Sequence, residues 1–214
     1  GLFRANGHQT DDELAEVEDK ATCSAPDFDG NQAHRASYCG VTRGPLWRVG
    51  QYMSDVCNGA KDGDFFHHAI VELMAEKVRN YADFMPGAKA LLSQLNAAGI
   101  PLALVSASPR VIVDAALSHV HPTPFKITIS SDDVSETKPN PEGYLKAASL
   151  LNVDILSCLI LEDSATGVKA AQASGAKVIA VPHLVKIAET AQTRIVHSLE
   201  ELTFEKLGKL YRNW

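Results

Sequence analysis

The chain has 214 residues, which is enough for one packed core domain or for a core with a small accessory domain. Its formal net charge of −6 at pH 7 gives no general attraction to nucleic acid or to an anionic membrane surface. Its hydrophobic share of 45% is typical of a globular protein, and its longest apolar runs, such as residues 100–105, are too short to span a bilayer.

The first residues and the cysteines indicate in which cell compartment the protein is expected. Gly1 is not followed by a basic segment and an apolar run, so no secretory signal is predicted. Cys23, Cys39, Cys57 and Cys158 show no C-x-x-C spacing, which argues against a structural zinc site. Four such cysteines in a chain of this length predict free thiols in a cytoplasmic protein, with Cys158 in the core.

The N-terminal part of the chain is predicted to be mostly helical. A helix is expected over residues 10–20, followed by a segment, 21–48, that is poor in pattern and rich in turn formers. Residues 64–81 predict an amphipathic helix with one apolar side, made of Phe66, Ile70, Leu73, Met74 and Val78. We interpret residues 1–83 as a helical accessory domain.

Short apolar segments alternate with helical patterns over residues 84–214. Strands are predicted at 100–105, 125–130, 158–161 and 177–181, with a short fifth at 195–196. Helices are predicted at 109–120, 141–151, 164–174 and 204–211. This alternation predicts an α/β domain with a Rossmann-like parallel sheet covered by helices on both faces. Such sheets carry their sites at the carboxyl ends of the strands.

The first polar group follows the strand at 100–105 and reads Ser106-Ala107-Ser108-Pro109-Arg110. Hydroxyls and backbone N–H groups at the start of a helix suit a phosphate, because the helix dipole favours an anion there. The alternative interpretation is that Ser108 only caps the helix.

Lys138 stands between two predicted strands, in Thr137-Lys138-Pro139-Asn140-Pro141. The prolines restrict its direction, and its charge could neutralise a phosphate in the transition state. The alternative is a solvated surface lysine.

Glu162 and Asp163 directly follow the strand at 158–161. Two carboxylates at the end of a buried strand are costly unless a cation lies beside them, and their hard oxygens suit Mg²⁺. The alternative is an acidic cluster at the start of a helix that Ser164 caps.

Taken together, the three groups resemble the haloacid dehalogenase superfamily of hydrolases. Ser106 is similar to its second motif, Lys138 to its third and Glu162-Asp163 to its fourth. The wording around them, Phe84-Met85-Pro86-Gly87, Lys138-Pro139-Asn140-Pro141-Glu142-Gly143-Tyr144 and Glu162-Asp163-Ser164-Ala165-Thr166-Gly167, resembles the β-phosphoglucomutase and phosphoglycolate-phosphatase branch. The resemblance is strong over about residues 64–210 and weak before them.

The resemblance implies Mg²⁺-dependent hydrolysis of a small phosphorylated metabolite through an aspartyl-phosphate, with a helical cap domain over the core. It assigns Ser106 and Lys138 to catalysis and Glu162 and Asp163 to the metal. Phosphate binding is expected from Ser106, Ala107, Ser108, Arg110 and Lys138.

The family's nucleophile lies in a D-x-D-G motif after an apolar strand. Asp27-Phe28-Asp29-Gly30 has the required residues, but the segment before it, 21–26, is a poor central strand. The favoured interpretation places the motif upstream of Gly1, in which case the 214 residues alone would show no turnover.

Two other functions stay open at the sequence level. A phosphomutase of the same fold would pass the phosphoryl group to a second hydroxyl, and a non-catalytic relative would only bind a phosphorylated ligand. His67 and His68 are adjacent on a predicted helix and point about 100° apart, so they are expected to pack rather than to share a metal. The substrate and the oligomeric state are not set by the sequence.

Overall fold

The computed structural model of the protein describes residues 3–5, 46–182 and 187–214. The chain divides into two compact units, one of Ala5–Tyr81 and the other of Gly1–Arg4 together with Ala82–Trp214. The helix predicted over residues 10–20 and the candidate motif at Asp27 and Asp29 lie outside the described residues.

The unit before Ala82 contains two described helices, α1 (Leu46–Val56) and α2 (Gly63–Tyr81). They pack on each other through a cluster of Val49, Met53, Phe66 and Ile70. Gly50 allows a close approach, because a Cβ there would lie 2.4 Å from the carbonyl oxygen of Gly63. Helix α2 was predicted, but its predicted apolar side is wrong at Met74, which is 37% exposed.

The second unit alternates strands and helices, and 3₁₀ turns link several of them. Its strands are β1 (Phe3–Ala5), β2 (Ala82–Phe84), β3 (Ala103–Val105), β4 (Ile127–Ile129), β5 (Leu159–Glu162), β6 (Lys177–Ala180) and β7 (Thr193–Ile195). Its helices are α3 (Ala88–Ala97), α4 (Arg110–Leu117), α5 (Glu142–Leu151), α6 (Ala165–Ser174) and α7 (Phe204–Arg212). The 3₁₀ helices are Ser131–Asp133, Ile155–Ser157 and Leu199–Glu201.

The strands after β2 pair in parallel. Strand β3 pairs with β4, and β5, β6 and β7 form a second parallel sheet in that order. Strand β1 pairs with β2. The predicted α/β fold with parallel strands is therefore confirmed, although in the described part of the chain β3 and β5 belong to separate hydrogen-bonded sheets.

Apolar clusters cover both faces of β6. Val178 and Ala180 belong to a cluster with Tyr144, Ile160 and residues of α6. Ile179 points to the opposite cluster, which is built mainly from α3, α7 and the 3₁₀ helix between them, with members Ala88, Leu91, Val196, Leu199, Leu202 and Leu207. Successive side chains of a strand alternate between its faces, so both faces of this strand are core.

Several predicted bounds are too long. The strand predicted from residue 100 begins at Ala103. Ile100 precedes the strand and is 40% exposed. The helix predicted to reach residue 120 ends at Leu117. Cys158 is a free thiol that is half-buried beside the core instead of inside it. In the ranges that the structure describes, no helix is both long and apolar enough to cross a membrane.

Candidate active site

Lys138 joins the carboxyl ends of β3 and β5. Its ammonium Nζ donates to the carbonyl oxygen of Val105, the last residue of β3, at 3.0 Å. It also forms an ion pair with Glu162, the last residue of β5. The side chains of Lys138 and Glu162 are 13% and 7% exposed, so the alternative of a solvated surface lysine is wrong.

The Glu162 carboxylate receives donors on both oxygens. The Tyr144 hydroxyl donates to Oε1, the oxygen that also receives Lys138, and the Ser164 hydroxyl lies 3.2 Å from Oε2. Burial, and then the charge of Glu162, raise the pKa of Tyr144, which therefore stays a hydroxyl donor. The cation that the sequence argument required beside Glu162 is Lys138.

The start of α6 is shaped around this carboxylate. Ser164 is the N-cap, and its hydroxyl accepts a hydrogen bond from the Gly167 backbone N–H at 3.0 Å, as the sequence predicted. A Cβ at Gly167 would lie 2.0 Å from Oε2 of Glu162. Glycine is therefore needed at this position for the carboxylate to occupy its place.

Ser106 follows β3 directly and begins a tight turn. Its backbone N–H donates to the carbonyl oxygen of Ile129 at 2.8 Å, and its hydroxyl oxygen accepts from the Ser108 N–H at 3.1 Å. Pro109 occupies the N-cap of α4, and no side chain caps this helix. The alternative that Ser108 serves as the cap is therefore wrong. Ala107, between the two serines, is exposed.

Ser106 and Lys138 face a common space. Both line a small cavity at the ends of β3 and β4, together with Ser130, Thr137 and Tyr144. This brings together two of the residues that the sequence analysis selected for phosphate.

Arg110 binds elsewhere. Its guanidinium donates to the hydroxyl and carbonyl oxygens of Thr128 at 2.9 and 3.0 Å and pairs with Asp133. Hydrogen bonds from Ser130, and then Arg110, hold the pKa of Asp133 far below its usual range. The structure therefore directs Arg110 toward β4 and the turn after it, and does not bring it to the Lys138–Glu162 pair.

Asp163 follows Glu162 and is half-buried. Burial acts to raise the pKa of Asp163, and the positive charge of Lys138 is among the influences that act to lower it. The carboxylate is the form of this side chain that binds a hard cation.

Two residues of this site received no role from the sequence. Tyr144 and Glu142 both stand in the motif that begins at Lys138, but the motif predicts no role for either side chain. The Glu142 carboxylate accepts the backbone N–H groups of Ser135 and Glu136 at 2.8 and 2.9 Å, which fixes the loop that carries Lys138. Glu142 and Tyr144 lie four and six residues after Lys138, in the first turn of α5. This closeness to Lys138 is the sequence feature that could have indicated a role for them.

Comparison with known proteins identifies the family of the chain. Residues 49–181 match the model of the haloacid dehalogenase-like hydrolase family. The chain belongs to this family. The match includes α2, Ser106, Lys138 and Glu162, so the resemblance noted in the sequence is confirmed.

Relatives within the family include enzymes that are named as phosphatases. The chain is 39% identical over 128 residues to the bifunctional riboflavin kinase/FMN phosphatase of Arabidopsis thaliana. This alignment covers 58% of the chain and 34% of the relative. It is 35% identical over 123 residues to hexitol phosphatase A of Escherichia coli (strain K12), which covers 57% of each protein. The chain thus spans only about a third to somewhat over half of these curated relatives.

A solved structure shows the same fold over most of the chain. It is that of a putative β-phosphoglucomutase from Thermotoga maritima, with a TM-score of 0.71 and 21% sequence identity. The alignment covers 94% of this chain and 93% of the other.

Proposed function

We propose that the protein is a Mg²⁺-dependent phosphatase that hydrolyses a small phosphate monoester through an aspartyl-phosphate. The observation that supports this most is the half-buried Lys138 ammonium, which lies at the carboxyl ends of two parallel strands and lines one cavity with Ser106. Family membership and the names of the phosphatase relatives point the same way.

Ser106 and Lys138 hold the phosphoryl group in this proposal. An ammonium group has three N–H donors, and in the described contacts Val105 and Glu162 receive two of them. The third is then directed at the phosphoryl oxygens, where its charge stabilises the transition state. The Ser106 hydroxyl donates its own hydrogen to the same group while its oxygen keeps the bond from Ser108.

Asp163 would hold the metal, with Glu162 as a direct or water-mediated second acid. The chemistry of the donor set fits, because Asp163 offers hard carboxylate oxygens directly after the carboxyl end of β5. The described residues contain no group of three or more acidic, histidine or cysteine ligands, so part of the coordination would come from phosphate or water. When bound, Mg²⁺ shields phosphoryl charge.

The nucleophile and the cap belong to the same proposal. The favoured interpretation places the nucleophile motif upstream of Gly1. The alternative, with Asp27 as nucleophile and Asp29 as the acid–base, lies outside the described residues. Helices α1 and α2 are the described part of the accessory unit, which we assign to a helical cap over residues 1–83, with the core at 84–214.

Release of inorganic phosphate from a panel of sugar phosphates, FMN and phosphoglycolate, with and without Mg²⁺, tests this function. In a protein that carries the nucleophile motif, we expect Mg²⁺-dependent hydrolysis, a loss of at least about 10²-fold in turnover for Lys138→Ala and weakened Mg²⁺ binding for Asp163→Asn. Lys169→Ala on the exposed face of α6 is the matched control and should keep full activity. Full activity of Lys138→Ala, or turnover that does not need Mg²⁺, would contradict the proposal.

A further inference from the structure

Tyr144 contacts both members of the Lys138–Glu162 pair. It lies in the first turn of α5 and is 7% exposed. Its hydroxyl donates to Oε1 of Glu162, and its ring centroid lies 4.9 Å from the Lys138 Nζ. A single buried side chain therefore touches the cation with its ring and the anion with its hydroxyl.

We propose that Tyr144 is a positioning residue that fixes the direction of the Lys138 ammonium toward the phosphoryl group. The proposal rests on the proposed function, since it takes Lys138 as the group that receives phosphate.

The ring limits where the ammonium can point. Val105 and Glu162 each receive one N–H of Lys138, and the face of Tyr144 covers a further side of the ammonium through a cation–π contact. The two accepted hydrogen bonds set the direction of the third N–H, and the ring restrains the ammonium from leaving this arrangement. A lysine side chain has four flexible bonds, so such restraint reduces the conformational freedom that phosphate binding would otherwise remove.

The hydroxyl has a separate effect, which an apolar ring of the same shape lacks. The Tyr144 hydroxyl and the Lys138 ammonium both donate to Oε1 of Glu162, and the Ser164 hydroxyl donates to Oε2. The carboxylate is therefore held by donors on both of its oxygens. Without the hydroxyl, Glu162 can turn toward Lys138 and draw the ammonium from the phosphate side.

Tyr144→Phe is the informative variant, because it removes the hydroxyl and keeps the ring. Tyr211→Phe is the matched control, since the Tyr211 ring also lies over a lysine, with its centroid 3.6 Å from the Lys177 Nζ. Two quantities are measured on the full chain with Mg²⁺ present, at a temperature where circular dichroism shows each variant folded. They are the dissociation constant for inorganic phosphate and the ¹H–¹⁵N signal of the Lys138 ammonium, identified by its loss in Lys138→Met.

We expect Tyr144→Phe to weaken phosphate binding about three- to tenfold, the effect of losing one hydrogen bond, and to shift or broaden the ammonium signal. Tyr211→Phe should leave both unchanged. If either quantity is unchanged in Tyr144→Phe, Tyr144 serves packing alone and the inference is overturned. If the wild-type chain does not bind phosphate, the proposed function fails, and the ammonium signal by itself then decides the role of Tyr144.

Discussion

Glu162 shows how a buried carboxylate becomes tolerable at the end of a strand. An isolated charge in this position would be costly, and the structure compensates it with the ammonium of Lys138 and with hydroxyls from Tyr144 and Ser164. The partners come from two segments of the chain, the Lys138 loop with the start of α5 and the start of α6. Removal of any one of them therefore affects the orientation of the others, which is why the site depends on small details of packing.

Gly167 is the most sensitive of these details. A Cβ at this position would lie 2.0 Å from Glu162 Oε2, so Gly167→Ala must displace the carboxylate from its partners. We expect a loss of about 1–3 kcal/mol in the free energy of unfolding, as for an overpacked core, and weaker phosphate binding. Urea denaturation at pH 7 measures the first effect.

Gly208→Ala is the matched control, because Gly208 is also helical and its added Cβ would meet only the flexible side chain of Arg212, at 3.3 Å. Alanine is the better helix former by up to about 1 kcal/mol, so this variant should be neutral or more stable. Equal stability of Gly167→Ala and the wild type would show that Glu162 can move at no cost.

At the scale of elements, the loop before α5 places Lys138. Glu142, the first residue of α5, holds the backbone N–H groups of Ser135 and Glu136. Asn140 accepts the Glu142 N–H at 2.9 Å and donates to the Glu136 side chain. The helix start and the loop are thus one hydrogen-bonded structure, which limits the positions that Lys138 can reach.

The Glu142 carboxylate makes this loop sensitive to pH. Hydrogen bonds from the N–H groups of Ser135 and Glu136 lower its pKa below the usual 4.5. A lowered folded pKa means that the stabilisation is present above pH 4.5 and is lost as the pH falls through the folded value. Glu142→Gln removes the charge, so the difference in melting temperature between wild type and variant should be constant from about pH 6 to 8 and shrink below about 4.5.

Amide hydrogen exchange gives a local measurement of the same effect. At pH 7 the N–H groups of Ser135 and Glu136 should exchange at least about threefold faster in Glu142→Gln than in the wild type. The N–H of Gly167, which donates to the Ser164 N-cap of α6, serves as the internal control. Unchanged exchange at Ser135 and Glu136 would mean that other contacts hold the loop.

The sequence was most informative where local chemistry sets the structure. Helix α6 was predicted with both of its ends, since Ser164 accepts at its N-cap and Gly175 adopts a left-handed φ of 88° after its last residue. Helix α1 was missed because Gly50 is a weak helix former, and its use as the close-contact point with α2 is visible only in three dimensions.

Long-range pairs in the site could not be predicted for a similar reason. Glu162, the partner of Lys138, lies 24 residues away in the sequence. Asp133 lies 23 residues from Arg110 and binds the guanidinium group that was predicted to bind phosphate. The positions of Ser106 and Lys138 after strands, and of Glu162 at a strand's end, followed from the pattern of a parallel sheet. Which polar groups face one another depended on side-chain directions that no spacing rule contains.

At the scale of the whole molecule, the α/β unit separates its apolar and polar chemistry. The middle of β5–β6–β7 is covered on both faces, while the charged groups stand at the carboxyl ends of β3 and β5. A rigid, close-packed sheet keeps the strand ends in fixed positions. Stability of the sheet and geometry of the site are thus linked through the backbone.

Strand β6 offers a direct test of the two-faced core. Val178 and Ile179 are both fully buried but belong to opposite clusters. We expect Ile179→Ala to cost about 2–5 kcal/mol of unfolding free energy and Val178→Ala about 2 kcal/mol, since each leaves a cavity in close-packed surroundings. Leu150→Ala, at a side chain that is 55% exposed, should change stability by less than about 0.5 kcal/mol. Urea denaturation of the three variants decides the matter: a sheet with one solvated face would tolerate one of the two β6 substitutions, whereas a sheet buried on both faces tolerates neither.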